Sequence, residues 1–567
     1  MGAHLFTFLR STISALVSAN KMTQSALPDD ILHLLCEELA NQEQFDTLFN
    51  CACASRALAV PALTHLYKSH HLAPVRGGGE DLYGLPAATK LLTIQKWSIL
   101  WRSIVASALD VTLFPYCRYI KSLDFRDLGY LLDDDQFRAK VSKQFFSGPL
   151  KQFEKTETGT NIKGRKYTRI KTADIIDAIG EVVTQHTPTL EIISGELQPG
   201  ALVRWTPRLP RLQSLELWDG KPLEDELVHA SIYDHCPQFK SLMIYTWVSE
   251  DNDHKFAKFL SSMRPNTLQT LQTISDVKAG AESLLALNHH GSSLEDLRLC
   301  VSNESIPHLS LLQGCTALRT LRIEDIHGTV DLEATEHDVF LETTAWLRKC
   351  SDLQRLSFSK MQSGAALITP VLLEEKIQLS SLEIDSYTLK DHKTFHQALV
   401  HQQSSLRVLF LSGDTDGMFR DDLDTLVDSL KQLTELRDLH LILPEVLRDE
   451  HLVTILAELT MLEDLYVSGL ELNDIVLPHL ASLPNLRTVT ISGISKFTMD
   501  GLLDFVSRLG PGNQAIRLSI DMADTDTLLS EEELTLVRDN LAEKAGGTLE
   551  YMALRDPNVP EFESDSD

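Results

Sequence analysis

The sequence predicts an α/β chain: a small N-terminal three-helix module followed by a long, curved solenoid of strand–helix repeats. Three observations predict it. The pattern apolar-x-x-Leu-x-apolar recurs through most of the chain, its copies return at nearly even spacing, and the residues between copies change from alternating to helical periodicity. At 567 residues the chain exceeds the size at which one hydrophobic core goes on growing, so it needs several domains or a repeat array. A hydrophobic content of 43% excludes global disorder and is ordinary for a folded protein.

Clear copies begin at Leu212, Phe239, Leu294, Leu318, Leu353, Leu379, Leu406, Leu436, Leu462 and Leu486, with an early one at Ile120 and weaker ones near Leu190, Leu268, Ile516 and Leu549. From Leu212 to Leu486, Leu268 included, successive first positions lie 24 to 35 residues apart. Within a copy the Leu-x-Leu core alternates with polar residues, as a short strand with one buried face does. Between copies, runs such as Leu423, Leu426, Val427, Leu430 and Leu433 follow helical steps behind the acidic start Asp421-Asp422. One such unit cannot bury its apolar face, but stacked units can. The copies resemble the cysteine-containing subtype of leucine-rich repeat: Cys117, Cys236, Cys315 and Cys350 each stand three residues before a first repeat position. Simple core filling accounts for those thiols.

Residues 23–70 read differently. Pro28 with Asp29 and Asp30 starts a helix that carries Ile31, Leu35 and Leu39 on one face with Leu32 beside them. A second helix is expected from about Gln44 to Ala54 and a third from Ala57 to Tyr67. Such a module buries little alone and needs a neighbour or partner. The stretch Leu27-Pro28-Asp29-Asp30-Ile31-Leu32, with Ser55-Arg56 and Ala59-Val60-Pro61-Ala62-Leu63 ending in Leu66-Tyr67, resembles the fungal F-box. It departs from it at Asp30, where Glu is usual, and in the run Cys51-Ala52-Cys53-Ala54. The resemblance implies docking on the Skp-type linker of a cullin–RING ubiquitin ligase through Leu27, Pro28, Ile31, Leu32, Leu48, Leu63 and Tyr67. Residues 71–116 come next, as a helical linker or solenoid cap. There Trp97, Leu100 and Trp101 share a helical face, and the block from Gln95 to Ile120 resembles the segment after the F-box in fungal F-box repeat proteins. The repeats are expected over residues 117–555.

Residues 151–171 form the one basic island of the chain, including Lys163, Arg165, Lys166 and Arg169. They read as a solvated loop, with an import signal or an acidic partner as the functional alternative. On the strands, Trp218, Met243, Tyr245 and Trp247 are expected to face the concave side, where exposed aromatics favour a target protein. His70–His71 and His289–His290 read as surface pairs. Residues 1–22 read as a poorly ordered leader, with a targeting peptide as the alternative. Residues 556–567 form an acidic tail.

Function is reached by exclusion and by resemblance. A net charge of −28 argues against nucleic acid. Eight cysteines without a Cys-x-x-Cys pair read as reduced thiols of the cytoplasm or nucleus, and no metal or cofactor motif is present. The leading segment is too short and polar to span a membrane. No catalytic signature occurs, so no enzyme activity is expected. The expectation is a substrate-recognition subunit of a Skp–cullin–F-box ligase whose repeats hold an unknown protein target. The alternative is a non-ligase scaffold or enzyme regulator with the helices as a cap.

Overall fold

Leu27-Pro28-Asp29-Asp30 opens the first helix. Pro28 precedes its first residue, where a missing N–H costs nothing, and two carboxylates meet the positive end of the helix dipole. The computed structural model describes residues 27–70, 86–160, 166–198, 200–275, 277–388, 392–414, 420–443 and 446–553. The described residues fall into two compact units, the first running to Val248 with Ser262–Arg264 and the second comprising the remainder from Ser249.

The first unit starts with α1 (Asp29–Asn41), α2 (Phe45–Ala54) and α3 (Arg56–Lys68). Ser55 sits between the last two in extended backbone, and its hydroxyl accepts from the Leu58 N–H at 3.2 Å, a side-chain cap that fixes where α3 begins. Cys36, Ala40, Leu48 and Ala62 meet at the centre of the three helices. The inward face of α1 is therefore Leu32, Cys36 and Ala40, turned from the Ile31–Leu35–Leu39 face that the spacing suggested: Leu39 is only partly buried, and Ile31 and Leu35 are exposed. The helix is apolar on more than one side, so periodicity could not say which side faces in.

Next come α4 (Ala87–Ala108), α5 (Phe125–Asp133) and α6 (Thr172–His186). The parallel strands β1 (Ser122–Asp124), β4 (Ile192–Gly195), β5 (Ser214–Asp219) and β6 (Ser241–Thr246) pair in that order, in a register that aligns Leu123, Ile193, Leu215 and Leu242. All four are buried. Trp97 and Trp101 of α4 are fully buried and donate their indole N–H groups to one Asp127 carboxylate oxygen, at 2.8 and 2.6 Å. The basic island is more than a loop: β2 (Thr156–Thr160) and β3 (Lys166–Ile170) pair antiparallel as a hairpin.

In the second unit the ladder runs through eleven strands among the described residues, from Thr270–Thr273 to Thr548–Ala553, all parallel; Leu472–Asn473 and Ser495–Lys496 pair beside it. The register places Leu271, Leu297, Leu321, Leu356, Leu382, Leu409, Leu439, Leu465, Val489, Leu518 and Leu549 in one buried row. The chain is built of leucine-rich repeats. Repeat length sets what backs each strand: the two 24-residue repeats fit only a 3-10 turn (Ile306–Leu312) or a five-residue helix (Leu477–Ala481), whereas the 35-residue one holds two helices, Leu332–Thr335 and His337–Leu347.

A second ladder lies behind the leucines, and here core filling is too small a role for the cysteines. Buried side chains from one repeat satisfy backbone groups left over where the preceding repeat turns. Cys236 Sγ reaches Leu209 O at 3.7 Å, and Cys350 Sγ reaches Cys315 O at 3.5 Å. Gln402 donates to Leu372 O and Ile377 O and accepts from the Leu379 N–H; Asn513 donates to Leu483 O and Leu486 O. Burial pushes the thiols of Cys236, Cys315 and Cys350 up to about 12, so they stay protonated donors. His290 belongs to this ladder, accepting from Leu268 N–H at Nδ1 and lying 3.2 Å from Leu260 O at Nε2. It is fully buried, not the surface residue its doublet suggested, and His70 is buried too, with its Nδ1 2.8 Å from Tyr67 O.

Candidate functional site

Two surfaces of the first unit gather the residues singled out by the sequence. The first lies on α1. Because Leu32, Cys36 and Ala40 face the core, the residues one or two positions before them turn away from it. Leu27, Ile31, Leu34 and Leu35 are all exposed, from 43% for Ile31 to 59% for Leu34, with Pro28 exposed beside them. Phe49 of α2 and Val60 of α3 are exposed as well. Four apolar side chains at helical spacing in water are an uncommon surface, and such stripes mark contact sites.

The other residues assigned to linker docking lie elsewhere. Leu32 and Leu48 are buried inside the module, and Leu63 is half-buried. Tyr67 is buried against the rest of the unit: its hydroxyl lies 2.6 Å from Ser103 Oγ, and its ring packs 4.7 Å from that of Tyr116. These four can hold the module's shape; Leu32, Leu48 and Tyr67 present almost nothing to a partner. Leu34, Phe49 and Val60 were missed, because only the structure shows that these apolar side chains lie off the helix faces that fill the core.

The second surface surrounds Trp218. Glu216 and Met243 are aligned neighbours on β5 and β6, and the next outward positions, Trp218 and Tyr245, stack with ring centroids 5.1 Å apart. Arg126, at the start of α5, holds this cluster together. It reaches Tyr245 Oη at 2.6 Å, Glu216 at 3.1 Å and both carboxylate oxygens of Asp124 at 3.2 Å, with its guanidinium 5.2 Å from the Tyr245 ring centre. Burial alone would ease its proton off, but the Asp124 carboxylate bound to it holds its pKa above the ordinary arginine value. Ser194 adds a hydrogen bond to Glu216 at 2.7 Å. Half-buried charges paired this closely form a stiff floor, with the arginine already satisfied by carboxylates.

An open cleft of about 530 Å³ lies beside that floor. Arg126 and Tyr130 of α5, Trp218, Glu157 and Arg169 of the hairpin, and Asp174 of α6 line it. The hairpin therefore walls the aromatic row without covering it: Trp218 remains 43% exposed, and Met243 and Tyr245 are half-buried. Trp247 departs from the expected row. The strand ends at Thr246, and the indole folds inward, fully buried, with its N–H donated to Glu224 at 3.1 Å. Gly220 makes that possible, since a Cβ there would lie 2.3 Å from the indole. Of the basic residues, Arg169 is exposed on β3, Lys166 lies on the same strand, and Lys163 and Arg165 lie outside the described residues.

No family model and no curated protein matches this chain. Among solved structures it is similar to an internalin (inlF) of Listeria monocytogenes, 14% identical, covering 57% of this chain and 81% of that one with a TM-score of 0.33. It is also similar to the yeast complex of Rad7 and Elc1, 17% identical over 56% of this chain and 78% of that one, again with a TM-score of 0.33. Likeness at this level says nothing of partners. Among the described residues no helix is long and apolar enough to cross a membrane, and no group of three or more His, Cys, Asp or Glu is placed to hold a metal ion.

Proposed function

We propose that this chain is a recognition subunit that brings a protein target to a Skp-type linker of a cullin–RING ubiquitin ligase, with no chemistry of its own. The observation that carries this reading is the outward stripe of α1, Leu27, Ile31, Leu34 and Leu35, on a helix whose opposite face already fills the module's core. A helix apolar on both sides needs two neighbours, and among the described residues the fold supplies one. The F-box resemblance of the same segment names the second. The ligase's contribution would be proximity: one end held by the linker, the target held beside Trp218 and Tyr245.

The strut from Tyr67 to Ser103 and Tyr116 favours a second reading, in which the three helices merely cap the repeats of the first unit of a non-ligase scaffold. Capture of purified Skp-type linker by the full chain separates the two. Ile31→Asp with Leu35→Asp should lower linker affinity about 30-fold or more, the scale of losing an interface hot spot, with the melting curve unchanged because both side chains are exposed. No capture by the folded wild-type chain would leave the cap reading in place.

A further inference from the structure

The chain's charge is divided unevenly. Of its 80 acidic and 52 basic residues, the first unit's sequence holds 27 of each, leaving 53 acidic and 25 basic for the second; the whole net charge of −28 belongs there. Within that second unit the strand-lined face carries a row of rings. Phe410, His440 and Tyr466 are register partners on successive strands, with centroids 5.7 and 5.5 Å apart and all three half-buried. Asp438 and Asp464 stand paired in the adjoining row, and His440 Nε2 lies 2.9 Å from Asp438 Oδ1. Arg437, next along the chain, is taken up by Glu463 at 3.2 Å, so that guanidinium is already engaged beside the Asp438–His440 pair.

Ring faces beside carboxylates, in a strongly negative field, suit one chemistry. A lysine or arginine side chain lays its methylene stem on a ring, its cation over the π face, and its N–H groups on a neighbouring carboxylate. Phosphate backbones carry the wrong sign. We propose that the Phe410–His440–Tyr466 row, with Asp438 and Asp464 beside it, docks a Lys/Arg-bearing segment of a partner protein. The proposal stands on the second unit alone and does not depend on whether α1 docks a linker.

The test is fluorescence anisotropy on the full chain with a labelled 12-residue peptide of alternating Arg and Gly, and its Glu-Gly counterpart as the control of sign. Salt is held at about 0.15 M, where exposed charges more than about 8 Å apart are screened. The Arg peptide should bind and the Glu peptide should not. Tyr466→Ala changes no charge and should weaken binding about 10-fold, the effect of a partly desolvated cation–aromatic contact; Tyr466→Leu serves if the alanine variant melts early. Asp464→Asn should weaken binding and flatten its salt dependence. Asp424→Asn with Asp428→Asn removes more charge from the exposed side of the helix Arg420–Leu430 and should leave affinity within about twofold, as distant charges do when screened. Unchanged affinity in both Tyr466 variants, or an equal loss from the helix pair, would mean diffuse attraction to an acidic body and would overturn the assignment. So would the absence of binding by the folded chain.

Discussion

The two units are built from the same repeat and bury it differently. In the second, the core leucines stay aligned from strand to strand despite register shifts after Asp385 and Ile520, and the buried polar ladder of His290, Cys350, Gln402 and Asn513 takes up the backbone groups between repeats. In the first, the array begins. Here a hairpin and a long helix interrupt the rhythm, two indoles converge on the buried Asp127, and a half-buried arginine is clasped by two carboxylates and a phenol. A repeat inside an array is covered by its neighbours, so local, repeated solutions suffice. Among the described residues no strand precedes Ser122–Asp124, and the cover on that side is fixed by particular side chains. Charge obeys the same division: one unit is balanced, and the other holds all of the −28.

That contrast can be broken, beginning with its largest expected effect. Asp127→Leu leaves two buried indole N–H groups without their acceptor and should destabilise the first unit by about 3–5 kcal/mol, the scale of two unsatisfied buried donors. Hydrogen exchange should show the loss of protection confined to residues 27–248; equal loss across the second unit would show that the difference between the units is only apparent.

Acid should act on the other side. Burial holds the pKa of both His290 and His396, in the second unit, down to about 4, and at His290 the Leu268 N–H occupies the nitrogen that a proton would need. A base with a depressed folded pKa contributes stability fully above its ordinary value of 6.5 and loses it as pH falls toward 4. Each should cost up to about 3 kcal/mol by pH 4, so the second unit should lose stability between those limits, with a shallower slope in His396→Leu. Denaturant titrations across that pH range check this, and a slope unaltered by the substitution would remove His396 from the explanation.

The smallest effect is ionic. Raising salt from about 0.01 to 0.15 M shortens the screening length from about 30 to 8 Å and should stabilise the acidic unit by on the order of 1 kcal/mol while leaving the balanced one unmoved. Site-resolved hydrogen exchange at the two concentrations distinguishes them.

Much of this was legible in the residues. The repeat positions from Leu212 onward lie where the spacing put them, because a two-residue alternation leaves only one way to bury Leu-x-Leu. Helix starts were legible for the same local reason: Ser530 caps the last helix, its hydroxyl accepting from the Glu533 N–H while the Glu533 carboxylate accepts from the Ser530 N–H. The candidate sites were less legible. Trp247 has the right parity for the exposed row, yet it turns inward because a glycine 27 positions earlier leaves space for an indole. Arg126 has one local partner, Asp124 two residues before it, but the Glu216 and Tyr245 that make it part of the cluster lie 90 and 119 residues away.

The sequence by itself determined the period, the strands and helices that fill it, the acidic balance and the three short helices at the start. All of these depend on neighbours within a few residues, or on composition. Only the tertiary structure decided which side of α1 faces water, which tryptophan stays exposed, and that Cys350, Gln402 and Asn513 serve one purpose. Each of those outcomes depends on which distant backbone groups or cavities a side chain meets, and a one-dimensional pattern does not record that.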